Sequence, residues 1–198
     1  ALAAWVPAWS PPLKQAPRGR VGSLWSVTTA GAVVYHDGTN WNQTPTIPGA
    51  TPLRVDVGED GVPFAIASNS NGAALYQFDG ATQLWESPVA LGPSTPKQLA
   101  VGDVSRVYVL GDNGAVSQLV NGSLVPVAAL QSGVTHLTAN HDGTLWHCDG
   151  TTPNAFRFIS EQPYGASLPI PNVTSIQQVA SSAYGNALLL AQQGGTYQ

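Results

Sequence analysis

Short runs in which apolar and polar residues alternate, each closed by turn residues, fill this chain from end to end. The clearest stretch is VGEDGVPFAIASNSNGAALYQFDGATQLW, Val57 to Trp85. An apolar strand ends at Val57, and Gly-Glu-Asp-Gly turns the chain. A second strand centres on Phe64, and an Asn/Ser/Gly loop leads to a third, Leu75 to Phe78. Asp79-Gly80 then turns into a fourth segment containing Trp85. Period-two alternation bounded by Gly, Asn and Asp predicts β-strands joined by hairpins. No segment carries the 3.6-residue period of a long helix.

The unit recurs. First strands begin at Leu13, Leu53, Leu99, Leu137 and Ile176, a period of about 40 residues. A large apolar residue marks each second strand: Trp25, Phe64, Tyr108, Trp146 and Leu189. Third strands end in Asp37-Gly38, Asp79-Gly80 and Asn121-Gly122. Several short strands per unit at this period predict a β-propeller of four-stranded blades. The last unit, from Thr174, has room for only three strands, while Ala3–Trp9 reads as a strand without a partner. Joining the two gives five blades in a ring closed by the N-terminal strand, which removes an exposed edge. No segment has the composition of a linker, so residues 1–198 read as a single domain.

Composition narrows the function classes. Charged residues are 9% of the chain, against about a quarter in an average domain. Lys and Arg number 7 against 11 Asp and Glu. No basic stripe is present to neutralise phosphates, so nucleic acid is not an expected partner. No apolar run approaches the roughly 18 residues that a membrane-spanning helix needs. The N-terminal ALAAWVPAWSPP lacks a signal-peptide pattern, and the compartment stays open, with extracellular or surface-acting use expected. The single cysteine, Cys148, allows no internal disulfide.

VGEDGVPFAI, ALYQFDG and HDGTLWHCDG resemble the tectonin-type repeat. The likeness runs through nearly the whole chain. It is clear in the first, second and fourth units and faint in the third and fifth. A five-bladed ring closed by both termini is also similar to the tachylectin-2-like lectins. The resemblance implies a carbohydrate-binding protein with shallow sites on or between blades. The repeat's Gly and Asp residues serve its turns, so it speaks to fold more directly than to ligand.

Sugars stack an apolar face on an aromatic ring while polar groups hold their hydroxyls. The expected ligand-binding residues are Tyr35, Asp37 and Trp41 in the first unit and Tyr76, Asp79 and Trp85 in the second. The competing reading for Trp25, Phe64, Tyr108 and Trp146 is packing between sheets, and for Asp37, Asp79 and Asp149 the support of tight turns. Glycoside hydrolysis needs paired carboxylates. Asp56 has no clear partner on the other first strands, so no enzyme activity is expected. His136, His141, His147 and Cys148 lie close in sequence, but adjacent strand residues face opposite ways, and no metal or cofactor is expected. Sequons at Asn42, Asn121 and Asn172 are within chance for such a composition. The leading function is a non-catalytic, multivalent lectin for surface glycans. The alternative is a protein-interaction platform, or the recognition domain of a larger toxin or assembly.

Overall fold

The computed structural model describes residues 23–130, 132–140, 142, 144–149, 154–159, 162–169, 174–181, 187–193 and 196–197. The strands expected at Ala3–Trp9 and Leu13–Gly19 lie outside these residues, as do Trp5, Trp9 and His141. Among the described residues every regular element is a strand.

The strands form antiparallel sheets in chain order. The first holds β1 (Leu24–Val27), β2 (Val33–His36) and β3 (Trp41–Gln43). The second holds β4 (Thr51–Val57), β5 (Pro63–Asn69) and β6 (Gly72–Asp79). Its outer edge is shared by two short pieces, β7 (Leu84–Trp85) and β8 (Val89–Ala90), both paired to β6. The third runs β9 (Pro96–Val101), β10 (Val107–Gly111), β11 (Val116–Val120) and β12 (Ser123–Pro126). The fourth runs β13 (Val134–Ala139), β14 (Thr144–Asp149), β15 (Asn154–Ile159) and β16 (Gln162–Pro169). The last runs β17 (Ser175–Ser181), β18 (Ala187–Gln193) and β19 (Thr196–Tyr197).

Two elements depart from the sequence expectation. The sequence predicts only a weak last strand for the fourth unit, near Ser167–Ile170, whereas the strand spans Gln162–Pro169. Pro163 and Gly165 disguise it, but Pro is tolerated on an outermost strand. The outer strand of the second sheet is split rather than continuous. Ser87 and Pro88 interrupt it, since Pro has no N–H for the ladder.

Successive sheets pack face to face. β4 touches β9, β9 touches β13 and β13 touches β17, so the first strands line up side by side. β1 meets β4 as β5 meets β9 and β10 meets β13, which identifies Leu24–Val27 as a second strand. Alternate residues of one strand serve two different layers. Ala65 and Ala67 of β5 join Trp25, Val27 and Val55 between the first two sheets. Phe64 and Ile66 of the same strand join Leu99 and Val109 on the other side. Tyr108 and Leu110 pack with Leu137 and Leu145 in the next layer. Trp146 and Cys148 pack with Ile176 and Val179 in the one after. The second-strand aromatics Trp25, Phe64, Tyr108 and Trp146 are thus all packed between sheets, each no more than 9% exposed.

Hydrogen bonds join the sheets near their first strands. Asp56 accepts from the amide of Val57 and, across to the third sheet, from that of Val101, both at 2.9 Å. Asp60 accepts from Val104 N–H at 2.7 Å, and Glu59 N–H donates to the Gly102 carbonyl at 3.0 Å. Gln98 mimics a strand: its carboxamide accepts from Leu137 N–H at 3.0 Å and donates to the Leu137 carbonyl. Gly58 sits where these turns meet. A Cβ there would fall 2.8 Å from Asp103 Cα and 3.0 Å from the Gly102 oxygen, so only glycine permits the approach.

Two desolvated groups, the half-buried Asp56 and the buried His147, titrate in opposing senses. Burial lifts the Asp56 carboxyl to about 7, against the amides of Val101 and Val57 that pull it down. Burial depresses the His147 imidazole to about 4, against the nearby Asp149 carboxylate. Between about pH 4 and 6.5 the folded chain keeps a proton on Asp56 that the unfolded chain has lost, so this group lowers stability as pH rises. Over the same window unfolded His147 is protonated and folded His147 is not, so it raises stability. The two slopes oppose each other in the wild type. Asp56→Asn should leave a melting temperature that rises with pH across this window, and His147→Gln one that falls. Thermal melts of the three proteins at stepped pH, followed by circular dichroism, check both signs.

Candidate functional site

The junction between the first and second sheets carries an open depression of about 260 Å³. Its floor begins with a cross-strand pair. Trp25 on β1 lies opposite Tyr35 on β2, so both project from the face that meets the second sheet. Their rings stack with centroids 4.8 Å apart and planes 21° off parallel. Trp25 is 6% exposed and donates its indole N–H to Ser23 Oγ at 3.2 Å. Tyr35 is half-buried and packs against the core at its edge.

The second sheet completes the depression. Phe78 meets Trp25 at 6.0 Å, tilted by 59°. Asp60, Gly80 and Gln83 complete its lining. Gln83 is held at a positive φ of 58° by the turn after β6. Its amide N–H donates to the Asp79 carbonyl at 2.8 Å, and its carboxamide to the Gly80 carbonyl at 2.7 Å. A half-open aromatic face beside a carboxylate and a carboxamide offers stacking and hydrogen bonding together, the combination that a polar ligand with an apolar face requires.

The expected site residues separate. Tyr35 lines the depression. Asp37 lies at the tip of the β2–β3 hairpin, where its carboxylate accepts from the amides of Thr39 and Asn40 at 2.8 Å each and from the Asn42 side chain at 3.0 Å. The Asn40 amide leads these donors in holding its carboxyl below the usual range. Asp79 does the same for its turn. The Thr82 hydroxyl at 2.7 Å and then the Ala81 amide at 2.8 Å keep its carboxyl low. Gly38 takes the positive φ expected of an Asp-Gly turn, at 102°, but after Asp79 the left-handed residue is Gln83, not Gly80. Asn121-Gly122 has both residues left-handed, at 49° and 74°, the pattern of a two-residue hairpin turn.

Trp41 lies opposite His36, on the face of the first sheet turned away from the second, and meets the His36 ring edge-on at 5.2 Å. It is therefore not beside Tyr35. Tyr76 and Trp85 are core residues, 4% and 8% exposed. Trp85 packs on Phe78 at 5.1 Å and donates its indole N–H to the Pro45 carbonyl at 3.0 Å, tying the second sheet to the first.

Sequence reasoning did not select Phe78, Asp60 or Gln83, and it placed Trp25 only as core. The depression belongs to a junction, whereas the repeat pattern groups residues by unit. One signal was present: following the hairpin back from Thr28 and Ala32 sets Trp25 against Tyr35.

Among the described residues no cluster of three or more His, Cys, Asp or Glu is arranged to hold a metal ion. His147 and Cys148 point into different layers, with Cys148 packed beside Trp146. Burial pushes the Cys148 thiol up to about 12, which keeps it out of the reactive thiolate form.

No protein-family model matches the chain. No curated protein matches it either. Solved structures do. The chain is similar to virginiamycin B lyase from Staphylococcus aureus with quinupristin, at a TM-score of 0.63 and 14% identity over 93% of this chain and 64% of that one. It is similar to the WD40 β-propeller domain of Doa1, at a TM-score of 0.61 and 12% identity over 88% and 58%. It is also similar to YCF48 bound to D1 peptide, at 0.56 and 16% over 89% and 62%. The chain therefore has a β-propeller fold, and it spans roughly three fifths of the length of these structures. At such identities the likeness concerns fold alone.

The geometry separates platform from core by mutation. Tyr76→Ala and Trp85→Ala should each lower stability by about 3–5 kcal/mol, the usual cost of deleting a buried large aromatic side chain. Tyr35→Ala should cost distinctly less, because part of its ring already faces solvent. Urea unfolding of the three variants measures the difference.

Proposed function

We propose that this chain is a non-catalytic recognition module that binds surface glycans in shallow depressions between neighbouring propeller blades. The observation that supports it is the half-buried Tyr35 ring, stacked on Trp25 and flanked by Asp60 and Gln83 above an open hollow. A pyranose lays its C–H face on such a ring while its hydroxyls reach neutral and acidic acceptors. The low charge of the chain, 9%, suits recognition by stacking and hydrogen bonding rather than by ion pairing. Repeated weak sites acting together raise apparent affinity by about 10²–10⁴.

The ring we propose has five blades and is closed by the N-terminal segment around Ala3–Trp9. The last described sheet has three strands where its two predecessors have four. Leu188 and Leu190 on that sheet are 66% and 43% exposed, an apolar face that closure against the first blade would cover. Leu188→Asp should then lower the melting temperature by several degrees, whereas a solvent-facing position would leave it unchanged.

A second reading, a protein-interaction platform or the recognition domain of a larger assembly, draws support from the similarity to YCF48 bound to D1 peptide. A glycan array with wild type, Tyr35→Ala and Gln83→Ala distinguishes the two. Binding to a related set of glycans that both substitutions weaken supports the lectin. A folded wild type that binds no glycan transfers the function to protein partners.

A further inference from the structure

A second cavity, of about 710 Å³, opens between the second and third sheets, within the span of about 300–1,000 Å³ typical of ligand pockets. It occupies the same structural slot as the Tyr35 depression, one junction further on. Phe64 faces Gln77 across β5 and β6 as Trp25 faces Tyr35 across β1 and β2. Where the first junction places a ring, the second therefore places a carboxamide.

The rest of the cleft follows that change. Its accessible apolar lining is Val89, Val104 and Val120, since Phe64 and Leu75 beneath are no more than 2% exposed. Phe64, its aromatic residue, is 1% exposed, so the floor presents no ring face for a sugar. Gln77 Nε2 donates to Glu86 Oε1 at 3.4 Å, and Glu86 is the cleft's charged residue. Asn121, at the exposed tip of the β11–β12 hairpin, stands on the opposite wall beside Val104, itself 48% exposed. The cleft is open because the outer strand breaks between β7 and β8, where Ser87 and Pro88 form no ladder pair with β6.

We propose that this cleft binds an extended peptide segment of a protein partner, with an aliphatic side chain against Val89, Val104 and Val120 and a neighbouring Lys or Arg facing Glu86. A carboxamide presents one acceptor and a donor pair, matching the C=O and N–H of a peptide unit. Gln77 and Asn121 on opposite walls thus hold a main chain whatever its sequence. Val89, Val104 and Val120 select the side chain, and burying their exposed surface against it supplies the apolar contact. Glu86, in a chain of formal net charge −4, favours a cationic neighbour and disfavours an acidic one. This site rests on the interaction reading and not on the glycan reading, since it uses a different junction.

The test screens a positional library of N-acetylated, C-amidated hexapeptides against the full chain by fluorescence polarisation. Bound peptides should share Leu, Ile or Val beside Lys or Arg. Val104→Asp and Gln77→Ala should each weaken them about tenfold or more, and Glu86→Lys should shift the preference to Asp or Glu. Melting temperatures close to wild type for Val104→Asp and Glu86→Lys keep the comparison free of unfolding. No bound hexapeptide, or binding indifferent to all three substitutions, overturns the proposal. Loss of glycan binding in Val104→Asp also overturns it, by making the cleft a sugar site. A protein partner that still binds all three variants leaves the interaction reading in place and excludes this cleft.

Discussion

No sheet in this chain can bury its apolar residues alone. A strand projects side chains to both faces, and β5 sends Phe64 and Ile66 one way and Ala65 and Ala67 the other. Each face finds cover only on the neighbouring sheet, so the layers between sheets are the hydrophobic core, divided into slices. Close packing then demands matched volumes across every slice. The layer between the first two sheets pairs the large Trp25, Phe78 and Trp85 with the small Ala65, Ala67 and Ala74. The polar links at Asp56, Asp60 and Gln98 lie where the first strands run together. They replace, between sheets, the backbone ladder that holds strands together within one.

The alternation of apolar and polar residues and the spacing of turn signals made the sheets legible in the sequence. Second strands fall where expected, on Trp25, Phe64, Tyr108 and Trp146, because β-branched and aromatic runs bounded by Asp and Gly leave little choice. The broken outer strand of the second sheet was not legible. Pro88 signals an interruption but not that the chain resumes pairing with β6 beyond it. Candidate ligand residues were harder still. Tyr35 stands two residues before its Asp-Gly turn and Tyr76 three, an offset that turns them to opposite faces of equivalent strands. Tyr35 lies opposite Trp25 at an open edge, while Tyr76 lies opposite Ala65 inside the layer. That difference is one residue of register, which grouping the tyrosines by unit overlooks.

Junctions also separate the parts of the fold that vary from those that do not. The second-strand aromatic keeps its packing role in four sheets, while the residue opposite it on the third strand changes from Tyr35 to Gln77, Gln118 and Arg157. One position per unit thus changes from ring to carboxamide to guanidinium with the scaffold left in place. A propeller that repeats its skeleton can diversify its surface by altering that single register position.

The outer edges have a consequence of another kind. A long, flat, unpaired strand edge is a template on which a second chain can add, and chains that recruit one another this way form aggregates. The second sheet ends in two-residue pieces divided by Pro88, the third in a strand whose last residue is Pro126, and the fourth in a strand carrying Pro163 and Pro169. Each proline withdraws an N–H from the rim. With few charges to keep its copies apart, the chain interrupts these edges with proline instead.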